Sequence, residues 1–301
     1  MSDLERDYDA VLITGPTASG KSALALRLAR EAEGVVINAD SMQVYDTLRV
    51  LTARPSEAEM GDVPHHLYGH VPASRVHSTG EWLRDVVALL PQLRAAKRLP
   101  VFVGGTGLYF KALTGGLSDM PDIGQEVRCR VRLRLKEEGS LALHRELVSR
   151  DPAVGHTLDS GDGQRIVRAL EVLEQTGRSI SHFQGRPGVQ VIDPQRAQKF
   201  VVLPDRALLR ARIDARFAQM FDNGAVEEVR SLLALDPDPE VPAMKAIGVP
   251  QIIEMLSGRM TAEEVVERSS ALTRQYAKRQ MTWFRNQMDD TWTRIGPQSL
   301  S

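Results

Sequence analysis

The 301-residue chain contains one cysteine, Cys129, so no intrachain disulfide can form and a free, buried or half-buried thiol is expected. No uninterrupted apolar run approaches the length needed to span a bilayer. The opening MSDLERDYDA is too acidic and polar for a secretory signal. A cytoplasmic monomer with no membrane contact is the expectation. Surplus positive charge is also missing: 38 Lys and Arg against 39 Asp and Glu leave a net charge of −1. A domain that holds nucleic acid by bulk electrostatics is usually strongly basic, so any RNA contact must come from local patches. Two are visible, Arg128, Arg130, Arg132, Arg134 and Lys136, and Arg274, Lys278, Arg279 and Arg285; solvated helix faces are the alternative for both. Repeats and low-complexity tracts are absent. What remains, 42% hydrophobic and 26% charged, is a globular composition, long enough for a core plus a smaller domain.

Ala10-Val11-Leu12-Ile13-Thr14 is short, apolar and β-branched and runs into Gly15, as a buried strand entering a turn would. A helix follows, with Leu24 and Leu28 in register and Gly34 as its stop, and Val35-Val36-Ile37-Asn38 repeats the strand pattern ahead of Asp40. This βαβ unit places two parallel strands in one sheet. Leu99 to Val103, entering Gly104 and Gly105, is a third strand, and Phe200 to Leu203 a later one. Between residues 121 and 195 the pattern turns helical, broken at Glu137-Glu138-Gly139-Ser140, Asp151-Pro152 and Ser160-Gly161-Asp162-Gly163. Gln164 to Gln175 is a helix closed by Gly177 and buried through Ile166, Leu170 and Leu173. Gly185-Arg186-Pro187-Gly188 has the composition of a hinge, and helices are expected over Leu208–Phe221, Ala225–Leu235 and Ala262–Asn286. The expected architecture is α/β: a P-loop NTPase-like parallel sheet core from residues 1–120 and 196–301, carrying a mostly helical insertion domain over 121–195.

Gly15-Pro16-Thr17-Ala18-Ser19-Gly20-Lys21-Ser22 fits G-x-x-x-x-G-K-[ST] at every position and lies between a strand and a helix, as that motif requires. Its glycines let the backbone wrap phosphate oxygens, while N–H groups and the helix dipole point at the anion. Lys21 adds a mobile charge, and Ser22 would place its hydroxyl on a Mg²⁺ bridging the phosphates. The motif identifies a diphosphate clamp. It does not say whether the polyphosphate is a nucleotide.

Further residues narrow the choice. Asp40-Ser41-Met42-Gln43-Val44-Tyr45, Pro64-His65-His66-Leu67, Gly104-Gly105-Thr106-Gly107-Leu108-Tyr109, Gln164-Arg165-Ile166-Val167-Arg168-Ala169-Leu170-Glu171, Lys245-Ala246-Ile247-Gly248 and Arg274-Gln275-Tyr276-Ala277-Lys278-Arg279-Gln280-Met281-Thr282-Trp283-Phe284-Arg285 follow in order. Together with the phosphate motif, this series resembles the tRNA dimethylallyltransferases of the IPP transferase family. The resemblance implies transfer of a dimethylallyl group from dimethylallyl diphosphate, with Mg²⁺, to N6 of the adenine 3′ of the anticodon in tRNA. It implies a diphosphate site at Gly15, Thr17, Ala18, Ser19, Gly20, Lys21, Ser22 and Arg216, with Ser22 on the metal. Asp40 matches the general base, because the delocalised N6 lone pair needs a carboxylate to orient the amine and take a proton. Helix capping or an outer role at the metal is the alternative for Asp40. Thr106 and Arg128 match residues reaching the diphosphate; a turn residue and an RNA-phosphate contact are their alternatives.

On the RNA side, the target base must turn out of its stack to meet the donor. The resemblance implies that Ser41, Met42 and Gln43 contact that base and that Gln164, Arg165 and Arg168, with Arg274 and Lys278, contact the anticodon stem-loop. Pairing between Arg168 and Glu171 along the helix is the alternative there. His65 and His66 are read as a loop with no partner at metal-ligand spacing. The chain departs from the family pattern in Asp46 to Pro55, where the usual glycines are missing, and in Val249-Pro250, where an aromatic follows the glycine elsewhere. A P-loop kinase of a small metabolite and a nucleotide-dependent RNA-binding module are the competing classes; a kinase would share only the phosphate motif.

Overall fold

A parallel strand covered on both faces has to be apolar at every position, and its side chains must divide alternately between two cores. The first strand does this: Ala10 and Leu12 pack on one side, Val11 and Ile13 on the other, and none is more than 1% exposed. A computed structural model describes residues 8–118, 120–185 and 188–296 of the protein. They fall into two compact units, one built up to Thr114 and again from Val191, the other Gly115–Gln190. The joints precede the expected 121 and 196 because Val191 and Ile192 already donate to Leu113 O (3.0 and 2.9 Å). Of the hinge Gly185 to Gly188, Arg186 and Pro187 lie outside the described residues.

The first unit begins β1 (Ala10–Thr14), α1 (Lys21–Glu31), β2 (Val35–Asn38), α2 (Glu57–Met60), β3 (His65–His66), α3 (Thr79–Ala95), β4 (Pro100–Gly104) and α4 (Gly107–Leu113). The second unit is helical: α5 (Gln125–Arg150), α6 (Pro152–Gly155), α7 (Gly163–Thr176) and α8 (Ile180–Gln184). The chain then returns to the first unit with β5 (Ala197–Val202), α9 (Arg206–Met220), α10 (Val226–Ala234), α11 (Val249–Leu256), α12 (Ala262–Gln287) and β6 (Thr293–Ile295). All strands are parallel, in the order β3-β2-β4-β1-β5-β6. The connections β1-α1-β2 and β3-α3-β4 therefore cover opposite faces: Leu24, Ala25 and Ala29 of α1 join one core, Trp82, Val86 and Leu90 of α3 the other. No helix among the described residues is long and apolar enough to cross a membrane.

Trp82 anchors the α3 face. Its ring stacks on Tyr109 (4.1 Å between centroids), meets Phe102 edge-on (6.5 Å), and donates its indole N–H to Asn38 O (2.9 Å). Asp85, also on α3, accepts through one oxygen from Nε2 of both His70 and His77 (3.0 Å each), tying the segment after β3 to the helix. His65 and His66, expected in a loop, instead pair with Val36 and Ile37 as an edge strand. β6 was also not foreseen: three largely exposed residues carry little apolar signal, and the pairing with β5 defines them.

In the second unit α5 is broken at Gly139 (φ 79°), where the sequence shows its breaker, and α7 ends on left-handed Gly177, whose N–H reaches Leu173 O (2.8 Å). Ile166, Val167 and Leu170 pack with Val131, Leu143 and Leu147, while Leu173 is only half-buried.

A side chain at Gly107 has no room: a Cβ there would lie 2.1 Å from the Trp283 ring. Gly107→Ala is expected to destabilise the protein by about 1–3 kcal/mol through overpacking. Calorimetry would register a fall of several degrees in Tm; an unchanged Tm would show that the Trp283 ring yields freely.

Candidate active site at the strand ends

The loop between β1 and α1 is held from both sides. Thr14 Oγ1 donates to Gly104 O (3.1 Å), and Gly15 sits so close to β5 that a Cβ would be 2.6 Å from Val202 O. Gly20 turns the chain into α1 with φ 91°, a conformation that costs glycine little. Ala18, also left-handed (φ 60°), packs on Leu209, Ile213 and Ala277 of α9 and α12. The loop from Thr17 to Ser22 lines a cavity of about 630 Å³ whose other walls include Asp40, Gln43 and Arg216. The structure thus gathers most of the expected diphosphate site and the expected base around one space.

Four basic residues line that space, Lys21, Arg27, Arg212 and Arg216, and burial acts on two of them. Lys21 Nζ donates to Pro16 O (3.2 Å); burial pushes its ammonium down to about 8, Asp40 opposing and Arg216 adding to the shift. Arg216 is likewise lowered by burial, against Glu59 and Asp40. Both cations lack enough negative charge around them, and an anion in the cavity would supply it. Ser19 Oγ, in the same loop, is buried with no hydrogen-bond partner.

The loop after β2 presents the carboxylate. Asn38 shapes it, its Oδ1 accepting from Asp40 N–H (2.9 Å) and its Nδ2 donating to Asp40 O (2.9 Å) and Leu67 O (3.0 Å). Asp40 Oδ1 accepts from Met42 N–H (2.9 Å), which closes a local turn and caps no helix, since the next helix starts at Glu57; Oδ2 accepts no hydrogen bond among the described residues. Thr106, at the start of α4, closes the loop from the other side: its Oγ1 accepts from Ser41 N–H (3.0 Å) and donates to Ser41 Oγ (3.2 Å).

Two of the expected site residues already have donors engaged. Gln43 is not free to donate to a base, since its Nε2 donates to Thr52 O (2.9 Å) and Ala53 O (3.0 Å); only Oε1 remains. Thr17 lines the cavity, but its backbone N–H is already given to Gln280 Oε1 (3.0 Å). Gln280 and Asn38 are the shaping residues that the sequence reading missed. Gln280 lies inside the Arg274–Arg285 motif, whose cations drew the attention; Asn38 ends the second strand and reads as part of it.

The altered segment 46–55 is held without the missing glycines. Glu228 of α10 accepts from the backbone N–H groups of Arg49 (2.7 Å), Val50 and Leu51 (3.1 Å), and Arg54 donates to the carbonyls of Tyr45 and Asp46 (3.0 Å each).

Arg128, Gln164, Arg165 and Arg168 belong to the second unit. The neighbouring cations are neutralised within it: Arg130 on Glu174 (2.7 Å), Arg132 on Glu171 (3.3 Å) and Arg134 on Glu146 (2.5 Å). Arg128, half-buried on α5, makes no ion pair among the described residues. Arg168 pairs with Glu171 (3.6 Å), as its alternative reading anticipated, Arg165 lies 3.4 Å from Asp162, and Gln164 is exposed. On α12, Arg274 is engaged by Asp214 of α9, whereas Lys278 is exposed beside a depression of about 540 Å³ that Arg279 and Trp283 also line. Cys129 is exposed, contrary to the expected buried thiol: it falls on the open side of α5.

The IPP transferase family pattern matches residues 43–287, and an isopentenyl transferase pattern matches residues 8–68. A tRNA dimethylallyltransferase of Agrobacterium fabrum is 69% identical over 99% of this chain and 100% of its own, and one of Allorhizobium ampelinum 67% identical over 99% and 98%. Among solved structures, a full-length tRNA isopentenylpyrophosphate transferase from Bacillus halodurans is similar with a TM-score of 0.67 at 31% identity, covering 96% of this chain and 90% of its own. A eukaryotic dimethylallyltransferase acting on tRNA shares the fold with a TM-score of 0.80 at 24% identity, over 96% of this chain and 74% of its own. With identity this high over nearly the whole of both chains, and with the motif residues gathered around one cavity, the chain belongs to the IPP transferase family.

Proposed function

We propose that the protein transfers a dimethylallyl group from dimethylallyl diphosphate to N6 of the adenine immediately 3′ of the anticodon in tRNA. The observation that carries this reading is a single cavity with two desolvated cations and a phosphate loop on one wall and the Asp40 carboxylate on another. The reaction breaks the bond between the allylic carbon and the diphosphate oxygen and forms one between that carbon and N6. Lys21 and Arg216 receive the leaving diphosphate where its charge grows, the place where fixed positive charge accelerates the step most. Asp40 Oδ2 accepts the N6 proton, and Met42 N–H on Oδ1 holds the carboxylate in place. Family resemblance makes Thr106 and Arg128 the further diphosphate residues; in this chain the Thr106 hydroxyl clasps Ser41 beside Asp40, and Arg128 is a half-buried residue of α5.

Mg²⁺ fits the donor set, because the Ser22 hydroxyl borders the cavity with no hydrogen bond among the described residues and Asp40 stands on the facing wall. When bound, the ion would neutralise diphosphate charge. For the RNA, Ser41, Met42 and the free Oε1 of Gln43 border the flipped base. Arg165, Arg168 and Gln164 of the second unit and Lys278 of α12 contact the stem-loop, Arg274 acting mainly through Asp214. Pairs such as Arg168 with Glu171 are exposed enough on the arginine side for phosphate to compete.

The direct test is incorporation of labelled dimethylallyl diphosphate into unmodified tRNA, with Mg²⁺ and without ATP. Label in the adenine 3′ of the anticodon is expected; ATP consumption with a small-molecule acceptor and no label would favour a kinase instead. Asp40→Asn is expected to lower kcat by about 10²–10⁴, with donor affinity measured without Mg²⁺ unchanged or tighter because an anion near the diphosphate is removed. Lys21 adds a pH signature. In the free protein it loses its proton near pH 8, whereas bound diphosphate retains that proton, so binding takes up a proton above pH 8. Donor affinity should therefore fall by up to about tenfold per pH unit above that point. Lys21→Met should bind weakly and without this slope, and calorimetric titration would reveal a wild-type profile that is instead flat.

A further inference from the structure

The phosphate loop spends one of its own backbone donors on a distant side chain. Gln280 Oε1 accepts from Thr17 N–H at 3.0 Å, and Gln280 Nε2 donates to Gly105 O at 2.9 Å. One amide on α12 thereby joins the loops that leave the adjacent strands β1 and β4. The residue is 6% exposed, so neither bond has water as a ready substitute. The fit is tight as well: a Cβ on Gly105 would stand 2.4 Å from Gln280 Nε2 and 3.3 Å from Asp40 Oδ2.

We propose that Gln280 is a positioning residue that sets the spacing between the diphosphate cradle and the turn at Gly105 and Thr106 that packs beside Asp40. For the identity of the reaction this rests on the transfer proposed above; for the shape of the cradle it does not. Thr17 lies in the middle of the phosphate loop, and its bond to Gln280 fixes the loop's position. Gly105 immediately precedes Thr106, whose hydroxyl clasps Ser41 beside Asp40. An acceptor and a donor are both needed on one rigid group, which an amide supplies. A carboxylate keeps the acceptor for Thr17 but turns an anionic oxygen toward Gly105 O and Asp40. Once protonated, the same carboxyl accepts from Thr17 and donates to Gly105, restoring the native pattern. Burial near Asp40 raises the pH at which that protonation occurs.

The test uses the full chain and two variants, Q280M and Q280E, with inorganic pyrophosphate binding followed by calorimetry from pH 6 to 8.5 and kcat measured in parallel. Q280M conserves volume and removes both bonds. It should weaken pyrophosphate binding and lower kcat by about tenfold or more each, with the KM for tRNA unchanged. Q280E should be similarly impaired at pH 8 and approach wild type as the pH falls, so that the ratio of variant to wild-type affinity changes with pH. A packing role alone predicts near-native binding by Q280M and a pH-independent ratio for Q280E, and that result would overturn the proposal. So would affinities and kcat within about twofold of wild type in both variants at pH 8. If Q280M does not fold, the pH dependence of Q280E decides. If the wild type binds pyrophosphate but prenylates no tRNA, the proposed reaction fails while the pyrophosphate arm still decides the role of Gln280.

Discussion

Everything at this site depends on how closely the ends of β2 and β4 approach. Gly104, the last residue of β4, lies so near the chain leaving β2 that a Cβ would stand 2.0 Å from both the carbonyl carbon and the oxygen of Ala39. Backbone rests on backbone, and any other residue would force the strand ends apart. That contact brings Thr106 N–H to Ala39 O (3.3 Å), Thr106 Oγ1 to Ser41, and Thr14 Oγ1 to Gly104 O, which fastens β1 to the same point. A parallel sheet collects its strand ends on one edge in any case. Here the missing side chain at Gly104 compresses that edge until a carboxylate and a phosphate loop can share one cavity.

The same compression sets the electrostatics. Taken out of water, Lys21 and Arg216 keep their charges at a cost, and Asp40, with Glu59 beside Arg216, offsets only part of it. Full neutralisation by more carboxylates would stabilise the free protein but would leave an incoming diphosphate with nothing to gain. A cavity lined by one carboxylate, Asp40, and by two desolvated cations is therefore poised for an anion. Asn38 and Met42 N–H, both neutral, hold the carboxylate without drawing off its charge.

Much of this was legible in the sequence, and the parts that were not have a common cause. The strands Ala10–Thr14 and Val35–Asn38, the phosphate loop and the Gly177-capped helix follow from local pattern, because burial on both faces and left-handed turns restrict residue type at each position. β3 and β6 were not legible, being two and three residues long and defined by their neighbours. The geometry of segment 46–55 could not be read from its own residues because the group that holds it, Glu228, is 177 to 179 residues away in sequence. Gln43 lines the cavity, yet its donors are consumed by that same segment, so the local chemistry of the side chain does not reveal that its neighbours already engage half of the amide. For Gln280 the motif was visible, but both partners are backbone atoms, which no side-chain pattern advertises.

The second unit extends this to charge. Arg128, Arg130, Arg132 and Arg134 look equivalent on paper, with alternate positions all basic. On a helix, steps of two residues do not share a face. The carboxylates of α7 and of the later half of α5 then select among them: Glu174 takes Arg130, Glu171 takes Arg132 and Glu146 takes Arg134. A basic run that would read as an RNA patch thus resolves into pairs that bind α5 to α7 and, through Glu146, the two halves of α5 to each other, with Arg128 left over. Because Glu171 is 3% exposed and serves both Arg132 and Arg168, those two arginines bring less than a full charge each to any phosphate. The summed charge of the segment is therefore a poor guide to its surface: of the four arginines only Arg128 has no carboxylate partner among the described residues.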